Sequence, residues 1–264
     1  MGVVSRPLIL VSNDDGIRAP GLRVLAEVAA EFGEVLVCAP NEERSGFSHA
    51  ISLRASLRSE RAPEFGERWF AVSGTPVDCV YLACLHLCER LPDLVLSGIN
   101  PGYNLGADVF YSGTVGAARE GLLRGCSSLA VSVQADANPE VALPFVRTLV
   151  PRLLAEAQAG TRHLLNLNVP REGGTKGLRA ARLGHRRYRD QVAEREDLAG
   201  RSYFWIGGPP APLSGGDDDD ASDTGLVGQG YAALTPLEID ITAPDLGDWV
   251  EWISASSGRS TGQD

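Results

Sequence analysis

Two adjacent carboxylates in Ser12-Asn13-Asp14-Asp15-Gly16 carry the strongest chemical signal in this chain. They follow Leu8 to Ser12, a short apolar run with the pattern of a buried strand, and in open α/β sheets ligands bind at the carboxyl ends of strands. Two negative charges side by side repel each other, and a divalent cation relieves the repulsion. The competing reading is an Asx turn in which one aspartate caps the next helix, which uses one carboxylate and leaves the other idle. A dinucleotide loop is ruled out, because Gly-x-Gly-x-x-Gly is missing here and acidic residues stand where a pyrophosphate would approach. A P-loop is excluded too: it needs Lys before Ser or Thr, and the single lysine, Lys176, lies in Thr-Lys-Gly.

Three other segments leave the same edge of the expected sheet. Arg44-Ser45-Gly46-Phe47-Ser48-His49 follows the second strand; Gly46 to Ala50 resembles a nucleophile elbow without its last glycine. Pro40 to Arg44 separates it from the strand and no helix pattern follows, so Ser45 and Ser48 read as polar site lining rather than as a nucleophile. Ser97-Gly98-Ile99-Asn100-Pro101-Gly102-Tyr103-Asn104 offers two Asn side chains as neutral oxygen ligands or amide donors. Tyr111-Ser112-Gly113-Thr114-Val115-Gly116 passes into a helix, whose first N–H groups and two hydroxyls form a ready anion site. Two carboxylates, a hydroxyl, an Asn and an anion-binding helix end together suggest an oxygen-ligated divalent metal and a phosphate.

These segments, in this order, resemble the SurE family of stationary-phase survival proteins, metal-dependent phosphatases acting on nucleoside monophosphates. The likeness is strong from Leu8 to about Pro170, including Ser73 to Val80 and Asn166 to Pro170, and looser at Tyr203 to Gly207 and Leu234 to Leu237. The resemblance implies a metal held by Asp14, Asp15, Ser45 and Asn100, and a substrate phosphate held by Asn104, Ser112, Gly113 and Thr114. It implies nucleoside 5'- and 3'-monophosphates as substrates, leaves short polyphosphate open as a side activity, and implies a homodimer or homotetramer. Hard oxygen ligands favour Mg2+ or Mn2+ over zinc, and one such ion per subunit is expected. Hydrolysis is expected by direct attack of water, with Asp14 or Asp15 as proton acceptor. A departure lies in the tail, where the family has Gly-Thr-Asp before an aromatic residue and this chain reads Ala221-Ser222-Asp223-Thr224. The rival reading is a non-catalytic nucleotide or phosphate sensor; the four metal-type residues together weigh against it, since a binder could manage with the helix end alone.

The elements that must position these residues alternate. Strands are expected at Leu8 to Ser12, Val35 to Ala39, Ala50 to Leu53, Trp69 to Val72, Asp93 to Ser97, Ser128 to Val133 and Leu164 to Asn168. Helices are expected at Pro20 to Phe32, Thr75 to about Arg90, Gly113 to Leu123 and Glu140 to Gln158, the last kinked at Pro151. This alternation predicts an α/β, Rossmann-like, mostly parallel sheet with helices on both faces. The expected core is 1–184. Residues 185–264 read as a β-rich oligomerisation extension with a hairpin strand at Tyr203 to Ile206, an acidic loop, a strand at Leu234 to Thr242 and a terminal helix at Leu246 to Ile253 carrying Trp249 and Trp252.

Composition narrows the partners. The 264 residues hold 24 Lys and Arg against 34 Asp and Glu, a net charge of -10, with Asp217 to Asp220 in one run. An acidic body lacks the basic face that a nucleic acid duplex or an anionic membrane demands. No apolar run reaches the ~18 residues of a membrane span, and no signal core precedes the first strand. A cytoplasmic location is the expectation. The five cysteines are odd in number and scattered, which argues against a disulfide framework.

Overall fold

The first strand, β1 (Leu8–Ser12), is buried along its whole length, because both of its faces are covered. A computed structural model describes residues 6–171, 176–189, 191–213 and 221–242. After β1 come α1 (Pro20–Ala29), β2 (Glu34–Pro40), β3 (Ser59–Arg61), β4 (Trp69–Val72), α2 (Pro76–Leu82) and β5 (Leu94–Pro101). The chain continues through α3 (Gly113–Leu123), β6 (Ser127–Val133), α4 (Leu143–Gln158), β7 (Leu164–Val169), β8 (Leu178–Ala180), β9 (Gln191–Glu196), β10 (Ser202–Gly207), α5 (Asp223–Gly228) and β11 (Ala232–Leu237). The main sheet has the order β3-β4-β2-β1-β5-β6-β7-β11-β8. Its central strands are parallel, while β3 against β4 and β11 against β7 run antiparallel.

The alternation within β1 divides the core. Ile9 and Val11 pack with Leu22, Leu25 and Val146 from α1 and α4, and Leu10 faces the other way, among Cys38, Cys79, Val80 and Cys126 beneath α2 and α3. The cysteines are free and serve as small apolar packing groups; burial pushes the Cys88 thiol up to about 12. Among the described residues no helix is long and apolar enough to cross a membrane.

Several expected elements come out differently. Ala50 to Leu53 forms no strand. Its polar groups are taken by the start of α2: Ser52 donates its N–H and hydroxyl to Asp78 at 2.8 and 2.7 Å, and Ala50 accepts from Thr75 Oγ1 at 2.7 Å. The edge strand is instead Ser59–Arg61, whose exposed polar residues gave no apolar signal. The helix expected to reach Arg90 widens into a π turn over Ala83–Leu87 and stops at the extended Cys88. Helix α1 stops at Ala29 and Phe32 closes a turn beyond it. Glu140 lies in a 3-10 turn, Pro139–Ala142, ahead of α4, and Pro151 stands inside α4 without ending it.

The tail does more than extend the molecule. Strand β11 joins the main sheet beside β7, with Leu234 opposite Leu167, so the apolar positions expected to face another subunit are partly used within this one. The strand also ends at Leu237, short of Thr242. By contrast, among the described residues β9 and β10 pair only with each other. The acidic run Asp217 to Asp220 and the segment holding Trp249 and Trp252 lie outside the described residues.

The start of α2 concentrates buried polar bonding on one carboxylate. Asp78, 1% exposed, also accepts from the Thr75 N–H at 2.9 Å while Thr75 Oγ1 caps the Asp78 N–H, a reciprocal capping box. Asp78→Ala leaves those donors without an acceptor and should lower the unfolding free energy by about 2–3 kcal/mol, measured in urea with an unchanged slope.

Candidate metal and phosphate site

Strand β1 is flanked by β2 on one side and β5 on the other, so the chain's winding reverses direction at the β1/β5 crevice. Such a switch point is where open α/β sheets bind ligands. Asp14 and Asp15 leave the end of β1, and Asn100 stands near the end of β5, past an irregularity in the β5/β6 ladder between Ser97 and Asn100. The segments after β2 and before α3 reach the same crevice. Together they line a cleft of about 1010 Å³ that takes in Asp14, Asp15, Ser45, Asn100, Asn104 and Ser112.

The turn after β1 is closed by Asn13, which accepts from the Gly16 N–H at 3.2 Å and donates to the Gly16 carbonyl at 3.1 Å. Gly16 sits at φ +96°, and a Cβ there would meet the Glu42 backbone at 3.1 Å. Helix α1 begins after Ala19, which has no side-chain cap. The Asx turn therefore belongs to Asn13, and neither aspartate is spent on capping.

Asp14 is 4% exposed. Thr114 Oγ1 donates to its Oδ1, and its backbone carbonyl accepts from the Arg44 N–H at 2.7 Å. The first residue of α3 presses on it: a Cβ on Gly113 would lie 2.7 Å from Asp14 Cβ and 2.9 Å from Oδ2. Burial pushes the Asp14 carboxyl upward, and the bonds from Thr114 pull part of the way back. Asp15 has no such relief. Burial, then the charges of Asp14 and Glu43, raise it to about 7, and its buried Oδ2 has no hydrogen-bond partner among the described residues.

An orphaned carboxylate oxygen beside a second carboxylate is what a cation would satisfy. Among the described residues no three His, Cys, Asp or Glu side chains converge as metal ligands, so neutral oxygens must complete the site. Ser45 and Asn100 can do so. Ser45 donates its hydroxyl proton to Glu43 at 3.0 Å, and Asn100 donates Nδ2 to the Gly102 carbonyl at 2.6 Å, which leaves Oδ1 as the end suited to a cation. Two carboxylates, a hydroxyl and an amide carbonyl fit a hard divalent ion.

The expected phosphate residues fall into separate roles. Ser112 caps α3, its Oγ accepting from the Val115 N–H at 3.0 Å, so its own proton remains to donate. The Thr114 hydroxyl is spent on Asp14. Asn104 is fixed by a network: its N–H donates to Asn168 Oδ1 at 2.8 Å, its Nδ2 to Ser132 Oγ at 2.8 Å, and its carbonyl accepts from Asn166 and Asn168 at 2.8 and 3.0 Å. Asn166 and Asn168, polar and buried on one face of β7, are therefore the support of Asn104.

The loop carrying Ser45 is sewn to α3. His49 Nε2 lies 2.8 Å from Glu120, whose side chain is 5% exposed and also pairs with Arg124 at 3.0 Å. The Ser48 N–H donates to Tyr111 O at 3.0 Å, and its hydroxyl donates to the Phe110 carbonyl. Ser48 so placed, with His49 turned to Glu120, has no base and is no nucleophile. Sequence reasoning missed Glu43 and three residues of the far wall, Asp108, Arg186 and Tyr188, that share the cleft.

The chain is similar to proteins of one family. The sequence model described as "Survival protein SurE" matches residues 9–190. A protein of Anaeromyxobacter sp. (strain Fw109-5), named 5'-nucleotidase SurE, is 49% identical over 238 residues, covering 88% of this chain and 90% of its own. One of Cronobacter sakazakii (strain ATCC BAA-894), named 5'/3'-nucleotidase SurE, is 44% identical over 252 residues, covering 94% and 97%. The crystal structure of the SurE protein from Aquifex aeolicus superposes with a TM-score of 0.77 at 33% identity, covering 94% of this chain and all of that one.

The raised Asp15 carboxyl makes stability depend on pH. Unfolded, it loses its proton near 3.8; folded, it keeps it to about 7. Between these values the native state holds the extra proton, so stability falls as pH rises. With chelator present, the thermal midpoint should drop from pH 5 to pH 8, and Asp15→Asn should flatten the drop relative to the unmodified protein.

Proposed function

The chain belongs to the SurE family, and on that premise we propose that it is a metal-dependent phosphomonoesterase releasing phosphate from nucleoside 5'- and 3'-monophosphates. The observation that carries the reading is the buried Asp15 Oδ2 beside Asp14, without a partner among the described residues and in the same cleft as the capped end of α3. Asp14, Asp15, Ser45 and Asn100 would hold one Mg2+ or Mn2+ per subunit. When bound, that ion supplies positive charge to the phosphoryl oxygens and acidifies water. Short polyphosphate is a further candidate substrate.

The chain's own groups do the rest. The Ser112 hydroxyl, the Gly113 N–H at the start of α3 and the Asn104 side-chain amide orient the phosphoryl group and stabilise charge growing on its oxygens. An oxygen of Asp14 or Asp15 that is not engaged with the ion accepts a proton from the attacking water. The water oxygen bonds to phosphorus, the ester P–O bond breaks, and the departing sugar oxygen takes up a proton. Neither aspartate is placed for in-line attack when both are needed on the cation, so no phosphoenzyme forms.

The extension supplies a candidate contact between subunits. Residues 185–264 carry the β9/β10 hairpin, with Phe204 59%, Trp205 67% and Ile206 88% exposed. A lone two-stranded hairpin is marginal in water, and a contiguous apolar patch marks an interaction surface; a homodimer or homotetramer joined there accounts for both. The free cysteines support placement in the reducing cytoplasm.

Phosphate release from nucleoside monophosphates, assayed with Mn2+, Mg2+ and chelator, tests the activity. Asp14→Ala and Asp15→Ala should abolish it with the fold intact, while Ser45→Ala and Asn100→Ala, which delete neutral ligands, should weaken the metal less. Wild-type turnover by either aspartate variant at saturating Mn2+ removes that residue from the site. Substrate bound but never hydrolysed would favour the sensor. For the hairpin, Trp205→Glu with Phe204→Ser should lower the mass measured by light scattering; an unchanged mass excludes that contact.

A further inference from the structure

The cleft that holds Asp14, Asp15 and Glu43 is also lined by Arg186, from the segment between β8 and β9. The Arg186 side chain is 8% exposed. Burying a cation is costly unless its donors and charge are matched, and the match here is incomplete. Its Nε lies 3.7 Å from Asp108 Oδ2, beyond hydrogen-bond length, and finds no acceptor among the described residues. Asp108 is already committed: it accepts from Tyr188 Oη at 2.7 Å and from the Leu105 N–H at 3.3 Å. The Tyr188 ring stands 5.7 Å from the guanidinium carbon and walls it in.

The turn that anchors Arg186 runs directly into the phosphate residues. Asp108 lies in the 3-10 turn Gly106–Phe110, and its carbonyl accepts from the Ser112 N–H at 2.9 Å. A guanidinium only donates, in a rigid fork that matches two oxygens of one oxyanion. Sugar hydroxyls, which donate as well as accept, would use that fork poorly. In a chain of net charge -10, a buried cation that lines the same cleft as Ser112, with a donor unpaired among the described residues, fits an anion.

Resting on the phosphomonoesterase reading, we infer that Arg186 is a substrate-binding residue, donating to a phosphoryl oxygen of the monophosphate that the end of α3 holds. The segment after residue 184 thereby completes the cleft, with Asp108 and Tyr188 as its positioning residues.

The test uses the full chain with inorganic phosphate as probe. Phosphate inhibition of nucleoside monophosphate hydrolysis is measured with Mn2+, and Mn2+ affinity is measured separately by electron paramagnetic resonance without phosphate. Arg186→Gln should weaken phosphate at least tenfold and raise KM to match, while Mn2+ affinity and thermal midpoint stay unchanged. Arg186→Lys, which keeps the charge but not the fork, should fall between the two and serves if the Gln variant does not fold. Phosphate binding equal to wild type in either variant overturns the proposal, as does a parallel loss of Mn2+ affinity, which would mark Arg186 as structural. If wild type binds phosphate but hydrolyses no nucleotide, phosphate binding measured by calorimetry still decides the role of Arg186, and only the phosphomonoesterase reading falls.

Discussion

The repulsion between Asp14 and Asp15 is the constraint around which the site is arranged. Both carboxylates are forced to the end of a buried central strand, where burial weakens the screening that water would give them. One is given a hydroxyl from Thr114 and a helix end; the other is left with an oxygen that no group among the described residues satisfies. A fold does not keep such an arrangement for stability, since an orphaned buried carboxylate opposes folding. The surrounding contacts make sense as the means of holding it: the Arg44 N–H on the Asp14 carbonyl, Gly113 against its side chain, and the Asn13 turn that frees both aspartates from capping.

That arrangement also explains the division of labour across the sheet. Strands β1 and β5 part at the switch point and deliver carboxylates from one side and Asn100 from the other. Strand β7, two places further on, contributes through Asn166 and Asn168, which hold Asn104 by its backbone, while Ser132 of β6 accepts from its side chain. The His49–Glu120 pair fastens the Ser45 loop to α3. The cleft closes with residues from the far end of the chain.

How much of this was legible in the sequence follows from the range of the interactions. β1, β4 and α3 were readable because their signals are local: apolar runs, and Ser112 capping before small residues. Asp14 and Asp15 were readable because adjacency alone makes them unusual. Ala50 to Leu53 misled because its strand-like composition lost to Asp78, a partner made available only by the start of α2. β3 carried no apolar signal, since an edge strand of three exposed residues needs none. In the sequence Arg186 is one of several arginines between Arg179 and Arg189; that this one is buried near Asp108 depends on where the chain crosses the cleft, which no spacing encodes. The polar pair Asn166 and Asn168, in an otherwise apolar strand, was the missed signal for the support of Asn104.

The account stands on a cation shared by Asp14, Asp15, Ser45 and Asn100. Anomalous diffraction from crystals soaked in Mn2+ locates such an ion directly. A single strong peak within coordination distance of both carboxylates, the Ser45 hydroxyl and the Asn100 amide oxygen is the predicted result. A peak elsewhere in the cleft, or Mn2+ held by one aspartate alone, would contradict it.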